Sequence, residues 1–112
     1  MHTPKDTLNY ESYIKSLFTI KYPNFTLMEG PLEVEMAVFM GIPSSTSKKK
    51  SELMMKCYIR PTKRPDLDNI IKIYCDALES VAYKNDSQIV TYIVSKYYAN
   101  NPRVEIKIRS AE

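Results

Sequence analysis

The stretch from Asp66 to Val81 constrains this chain most. Leu67, Ile70, Ile71, Tyr74, Leu78 and Val81 recur at helical spacing and form one apolar stripe, while Asp68, Lys72, Asp76 and Glu79 project from the other side. A helix with a single apolar stripe must lie on something apolar. The chain offers three segments for that purpose. Leu32, Val34, Met36, Val38 and Met40 alternate with Glu33 and Glu35, the pattern of a half-buried strand. The run from Gln88 to Tyr98 is rich in β-branched and aromatic residues. Val104, Ile106 and Ile108 alternate with Arg103, Glu105, Lys107 and Arg109. The expectation is an α+β fold, helices packed on a small mixed or antiparallel sheet. The last two strands are expected to pair as an antiparallel hairpin through the turn at Asn100-Asn101-Pro102.

Two further helices are predicted. Thr3 and Pro4 suit the cap and first position of a helix running to about Tyr22, with Tyr10, Ile14, Leu17 and Phe18 on its apolar face. Ser47 precedes a basic helical segment from Lys48 to about Tyr58. A chain of 112 residues is enough for one compact domain. No signal peptide and no membrane-spanning apolar run is visible, so a cytoplasmic location is expected. Cys57, Cys75 and the lone His2 make no zinc signature, and Cys75 reads as a small packed hydrophobe.

Charge is unevenly distributed. Lys48, Lys49, Lys50, Lys56, Arg60, Lys63 and Arg64 fall within seventeen positions against Glu52 alone, so seven of the sixteen basic residues sit in one segment. Such a cluster attracts a polyanion through phosphate contacts and counterion release. Taken alone, the Lys48-Lys49-Lys50 run reads first as a solvated, mobile loop. A carboxylate cluster directly downstream shifts the balance. Asp66 and Asp68 open the best helix, and Asp86 precedes the strand after it. Each has an ordinary explanation, at a helix N-terminus or in a turn. Together, if the two element starts are adjacent, they make a site for a hard divalent cation beside a basic surface. Lys72, four residues after Asp68, stands next to it on the helix.

The run Ile59-Arg60-Pro61-Thr62-Lys63-Arg64-Pro65-Asp66-Leu67-Asp68-Asn69-Ile70-Ile71-Lys72 resembles the RusA family of Holliday junction resolvases. So do Asp76-Ala77-Leu78 and Val81-Ala82-Tyr83-Lys84-Asn85-Asp86-Ser87-Gln88-Ile89-Val90. The resemblance extends from about Thr3 to the C-terminus. It implies a Mg²⁺-dependent endonuclease, with Mn²⁺ as a substitute, that resolves four-way DNA junctions in recombination and repair as a homodimer. It assigns metal binding to Asp66, Asp68 and Asp86 and an essential cationic role to Lys72. Asp76 matches a recurrent acidic position, but on a helix it lies two turns from Asp68, too far for both to bind one ion. The basic residues from Lys48 to Arg64 are expected to track the junction arms. Two departures stand out. The family usually has two adjacent aspartates where this chain has Asn85-Asp86, and it usually begins with a strand and a basic loop ahead of the segment matching Thr3-Pro4-Lys5. These departures motivate an alternative, a family member that binds branched DNA without cutting it.

Overall fold

The computed structural model describes residues 5–112, with side chains from Tyr10 onward. The proposed cap at Thr3-Pro4 lies outside the described residues. The elements run α1 (Lys5–Lys21), β1 (Leu32–Gly41), α2 (Lys48–Met55), α3 (Leu67–Leu78), a short 3-10 turn (Asp86–Gln88), β2 (Ile89–Ala99) and β3 (Arg103–Ser110). This is the α+β architecture that the alternation and the helical stripe predict.

β1 is the central strand. The order is β2-β1-β3, with β1 parallel to β2 and antiparallel to β3. The expected β2–β3 hairpin is therefore corrected: the two strands flank β1 and do not pair with each other. The reason lies in burial. Leu32, Val34, Met36 and Val38 are 0%, 2%, 2% and 5% exposed, and burying each such side chain contributes about 1.5–3 kcal/mol. The strand with the most to bury takes the centre, where both its backbone edges are paired. β2 and β3, more exposed along their lengths, become the edges. The Asn100–Pro102 connection bridges the two edges across the end of β1. It passes so close that a Cβ at Gly41 would sit 3.2 Å from Pro102 Cγ.

Parallel neighbours need a crossover, and here it contains α2 and α3. Leu67, Ile70 and Ile71 pack with Val34, Met36, Val38 and Val94, whereas Ala77 and Leu78 pack with Leu32, Ile89 and Tyr83. α3 thus runs antiparallel to β1 and β2. α1 lies against α3, with Ile14 buried and Phe18 partly buried in the same core. Tyr10 and Leu17, expected on that apolar face, remain 45% and 49% exposed.

Two helices end earlier than their patterns suggest. α2 stops at Met55, because Lys56 leaves helical geometry and Cys57 takes a positive φ of 67°. α3 stops at Leu78: Glu79 is extended and Ser80 has φ 76°. Val81 still joins the core, carried there by the turn rather than by helix. Among the described residues no helix is long and apolar enough to cross a membrane.

Candidate active site

Asp66 has N-cap dihedrals (φ −72°, ψ 149°), yet its side chain makes no cap hydrogen bond. At the turn before β2 the cap is Asn85, whose Oδ1 accepts from Ser87 N at 2.9 Å. This gives Asn85 a structural task and leaves the Asp86 carboxylate free of it. The local explanations that fit Asp66 and Asp86 by sequence thus do not occupy their oxygens.

The turn that presents Asp86 is built from both sides. Gln88 Oε1 accepts from Lys84 N and Asn85 N at 3.1 and 3.0 Å, and its Nε2 donates to Met28 O and Gly30 O at 3.0 and 3.1 Å. Tyr83, fully buried, donates its hydroxyl to Cys75 O at 2.6 Å. Ser80 N donates to Tyr83 O at 2.7 Å, and Met28 N to Ala82 O at 2.9 Å. The segment from Ser80 to Gln88 is thereby tied to the C-terminal half of α3 and to the start of β1. Burial pushes the Cys75 thiol up, as it does the Tyr83 hydroxyl. Cys75 is 5% exposed, a packed hydrophobe as its sequence context indicates.

This scaffold decides which acids meet. Carboxylate oxygens of Asp76, Glu79 and Asp86 lie within 4.8 Å of one another, and no other such acidic group forms among the described residues. Asp76 and Glu79 are half-buried and Asp86 is exposed. Asp66 and Asp68 are not part of this group. Along a helix rising 1.5 Å per residue, Asp68 stands about 12 Å and Asp66 about 15 Å from Asp76. The cause is topological. A helix that runs antiparallel to the following strand puts its own start beside that strand's end. The starts of α3 and β2, whose adjacency would bring Asp66 and Asp68 to Asp86, are at opposite ends of the sheet.

Lys72 bridges the two groups. It is four residues from Asp68 and four from Asp76, neighbours on the helix surface. It is exposed, and the ion pairs among the described residues are Arg103–Glu105, Arg109–Glu33 and Arg109–Glu35, not Lys72 with either aspartate. Glu11 of α1 faces the same stripe: burial and the nearby Asp76 raise its carboxyl, while Lys72 and Lys15 pull it back down. Tyr92 of β2 adds a hydroxyl next to Cys75, raised chiefly by burial and further by Asp86 and Asp76. Glu79, Glu11 and Tyr92 are the residues sequence reasoning missed. Glu79 had a visible signal, since it lies on the polar side of α3 one turn beyond Asp76.

The basic segment divides by role. Lys48, Lys49 and Lys50 are exposed in the first turn of α2, which has no acidic residue there. Three cations at the positive end of a helix dipole oppose helix formation, so they do not serve α2 itself. Ser47 offsets part of this by capping Lys50 N at 3.3 Å. Lys56, Lys63 and Arg64 are exposed. Arg60 is engaged within the fold: its Nε donates to Lys96 O at 2.7 Å, and its guanidinium lies 4.4 Å from the Tyr97 ring centroid. Lys96 Nζ in turn donates to Lys63 O at 2.6 Å. The loop before α3 is therefore fastened to β2.

A family model described as "Endodeoxyribonuclease RusA" matches residues 1–109. YqaN of Bacillus subtilis (strain 168), an uncharacterized protein, is 39% identical over 111 residues, covering 97% of this chain and 78% of its own length. With an unused acid pair, a second acid group built by the turn before β2, a lysine between them and the family match across nearly all its length, the chain belongs to the RusA endodeoxyribonuclease family.

Proposed function

We propose that this chain is a single nuclease domain that resolves four-way DNA junctions by metal-dependent cleavage, acting as a homodimer. The observation that carries the reading is the acidic face of α3, closed by Asp86 at one end and open at Asp66 and Asp68 at the other, in a RusA-family chain. The oxygens of Asp76, Glu79 and Asp86, within 4.8 Å of one another, fit a hard cation with ligand distances of about 2.0–2.6 Å. Mg²⁺ is the expected ion, with Mn²⁺ as substitute. Such an ion supplies charge neutralisation at a phosphodiester and an acidified water.

Asp66 and Asp68 are a pair of carboxylates on an exposed helix start. Two carboxylates with DNA phosphate oxygens are a common ligand set for Mg²⁺, so this pair is assigned to a cation that arrives with DNA. Lys72 is assigned to the scissile phosphate as a compact point charge. It stabilises negative charge that grows in the transition state. Lys48, Lys49, Lys50, Lys56, Lys63 and Arg64 hold the arms by their phosphates, with Arg60 holding the loop that carries them. Recognition then depends on shape and phosphate geometry rather than base edges. Two symmetric incisions need two sites, which a C2 dimer supplies.

The test is cleavage of a synthetic four-way junction with and without Mg²⁺, with a matched linear duplex as control. Mg²⁺-dependent, paired nicks at the branch are the expected result. Tight junction binding with no cleavage in Mg²⁺ or Mn²⁺ would establish the binding-only alternative.

A further inference from the structure

We infer that Tyr58 is a stacking platform for an unpaired nucleobase at the branch of the DNA; this rests on the reading of the chain as a branched-DNA nuclease. Tyr58 is 77% exposed, matched among the large hydrophobic side chains of the described residues only by Ile20. An exposed tyrosine on a mobile tip would mean little, but this one is pinned. After α2 the chain reverses at Cys57, which has φ 67° and donates its N–H to Met54 O at 3.1 Å. Tyr58 N and Ile59 N both donate to Leu53 O, at 3.0 and 3.3 Å. Downstream, Arg60 is locked onto Tyr97 and Lys96, and Pro61 is buried. The backbone is held on both sides while the ring points to solvent.

Among the described residues the ring also has no aromatic partner. Eight aromatic rings pack in pairs or clusters among the described residues, and Tyr58 is in none of them. Its sequence neighbours are cationic: Lys56, Arg60, Lys63 and Arg64, with the lysines of α2 just before. An aromatic face carried on a rigid loop inside a cationic segment is the arrangement that binds nucleic acid by stacking. Intact duplex offers it nothing, because every base face there is already stacked. A junction centre, where base pairs are strained or open, exposes such faces. Tyr58 therefore contributes to branch selectivity, whereas the lysines contribute affinity to any DNA.

The experiment compares Tyr58→Ala, Tyr58→Phe and wild type in Ca²⁺, binding to a four-way junction carrying 2-aminopurine at the branch and to a linear duplex of the same arms. Stacking is worth about 1–3 kcal/mol per base, so Tyr58→Ala should weaken junction binding about 5- to 150-fold. Duplex binding should be unchanged, Tyr58→Phe should behave as wild type, and the 2-aminopurine fluorescence change on binding should vanish in Tyr58→Ala alone. Because the side chain is exposed, the variants should melt as wild type does. Junction binding by Tyr58→Ala equal to wild type would overturn the inference and leave the nuclease reading intact. Equal losses on junction and duplex, or a Tyr58→Phe loss matching Tyr58→Ala, would also overturn it, pointing to backbone or hydroxyl contacts. Wild-type protein with no preference for the junction would overturn both.

Discussion

The two ends of α3 carry similar acids in unlike settings. At the N-terminal end Asp66 and Asp68 are exposed, and Asp66 makes no cap bond. At the C-terminal end Asp76 and Glu79 are half-buried and held close to Asp86 by a turn that Tyr83 and Gln88 fix in place. One end is open to a large ligand; the other is a preformed group of like charges whose mutual repulsion favours a cation even in the absence of DNA. Position against the sheet, not order along the chain, decides which acids of this helix meet a third.

The sharpest way to break that comparison uses both ends at once. Asp66→Asn, Asp68→Asn, Asp76→Asn and Asp86→Asn are each expected to abolish junction cleavage while leaving junction binding intact. Mn²⁺ added to DNA-free protein should raise the Tm of wild type, Asp66→Asn and Asp68→Asn, because ligand binding to the folded state stabilises it. It should leave the Tm of Asp76→Asn and Asp86→Asn nearly unmoved. A Mn²⁺ response lost in Asp66→Asn and kept in Asp86→Asn would reverse the assignment of the two ends.

Lys72, between the ends, is expected to matter to rate. Lys72→Ala should slow single-turnover cleavage by about two to three powers of ten with little change in junction affinity. If Lys72 served only as a helix-surface ion-pair partner, its loss would instead change stability by roughly 0.5 kcal/mol or less and spare turnover.

Replacing Lys48, Lys49 and Lys50 together by Ala tests whether the cations at the start of α2 belong to DNA. The slope of log K against log salt should fall by about 0.9 for each lost contact with duplex arms. The free protein should be slightly stabilised, since the positive helix end loses three like charges. An unchanged slope would return these lysines to solvent.

The smallest expected effect concerns the scaffold of the preformed end. Tyr83→Phe removes one buried hydrogen bond to Cys75 O, and the fold should lose about 1 kcal/mol by denaturant unfolding. The Mn²⁺ stabilisation should weaken with it, because the same bond holds the turn that carries Asp86.

Much of this architecture is legible in the sequence. The α3 stripe and the alternation of β1 and β3 place those elements within a few residues, because periodic burial writes itself into residue order. Strand order is not written there. Asn100-Asn101-Pro102 reads as a hairpin turn, and only the burial demand of Leu32, Val34, Met36 and Val38 on both flanks of β1 excludes that pairing. The site divides likewise. Family pattern singles out Asp66, Asp68, Lys72 and Asp86, but chain order cannot say that Asp86 sits with Asp76 and Glu79. Asn85, a departure from the family pattern by sequence, is accounted for once its cap to Ser87 N is seen.

Because β1 is central, both of its hydrogen-bond partners lie far downstream of it in the chain. Leu32 pairs with Ile89 on one side and Ser110 on the other. Neither ladder closes locally, so this sheet has high contact order and pays loop closure before any pairing is gained. During synthesis the strand that ends up most buried stays unpaired until β2 and β3 have left the ribosome. A nascent chain halted before Ile89 holds an apolar strand with two open edges, a substrate for chaperones and for self-association. The folding bottleneck is therefore set by the arrival of β2 and β3, and β2 begins directly after the turn that carries Asp86.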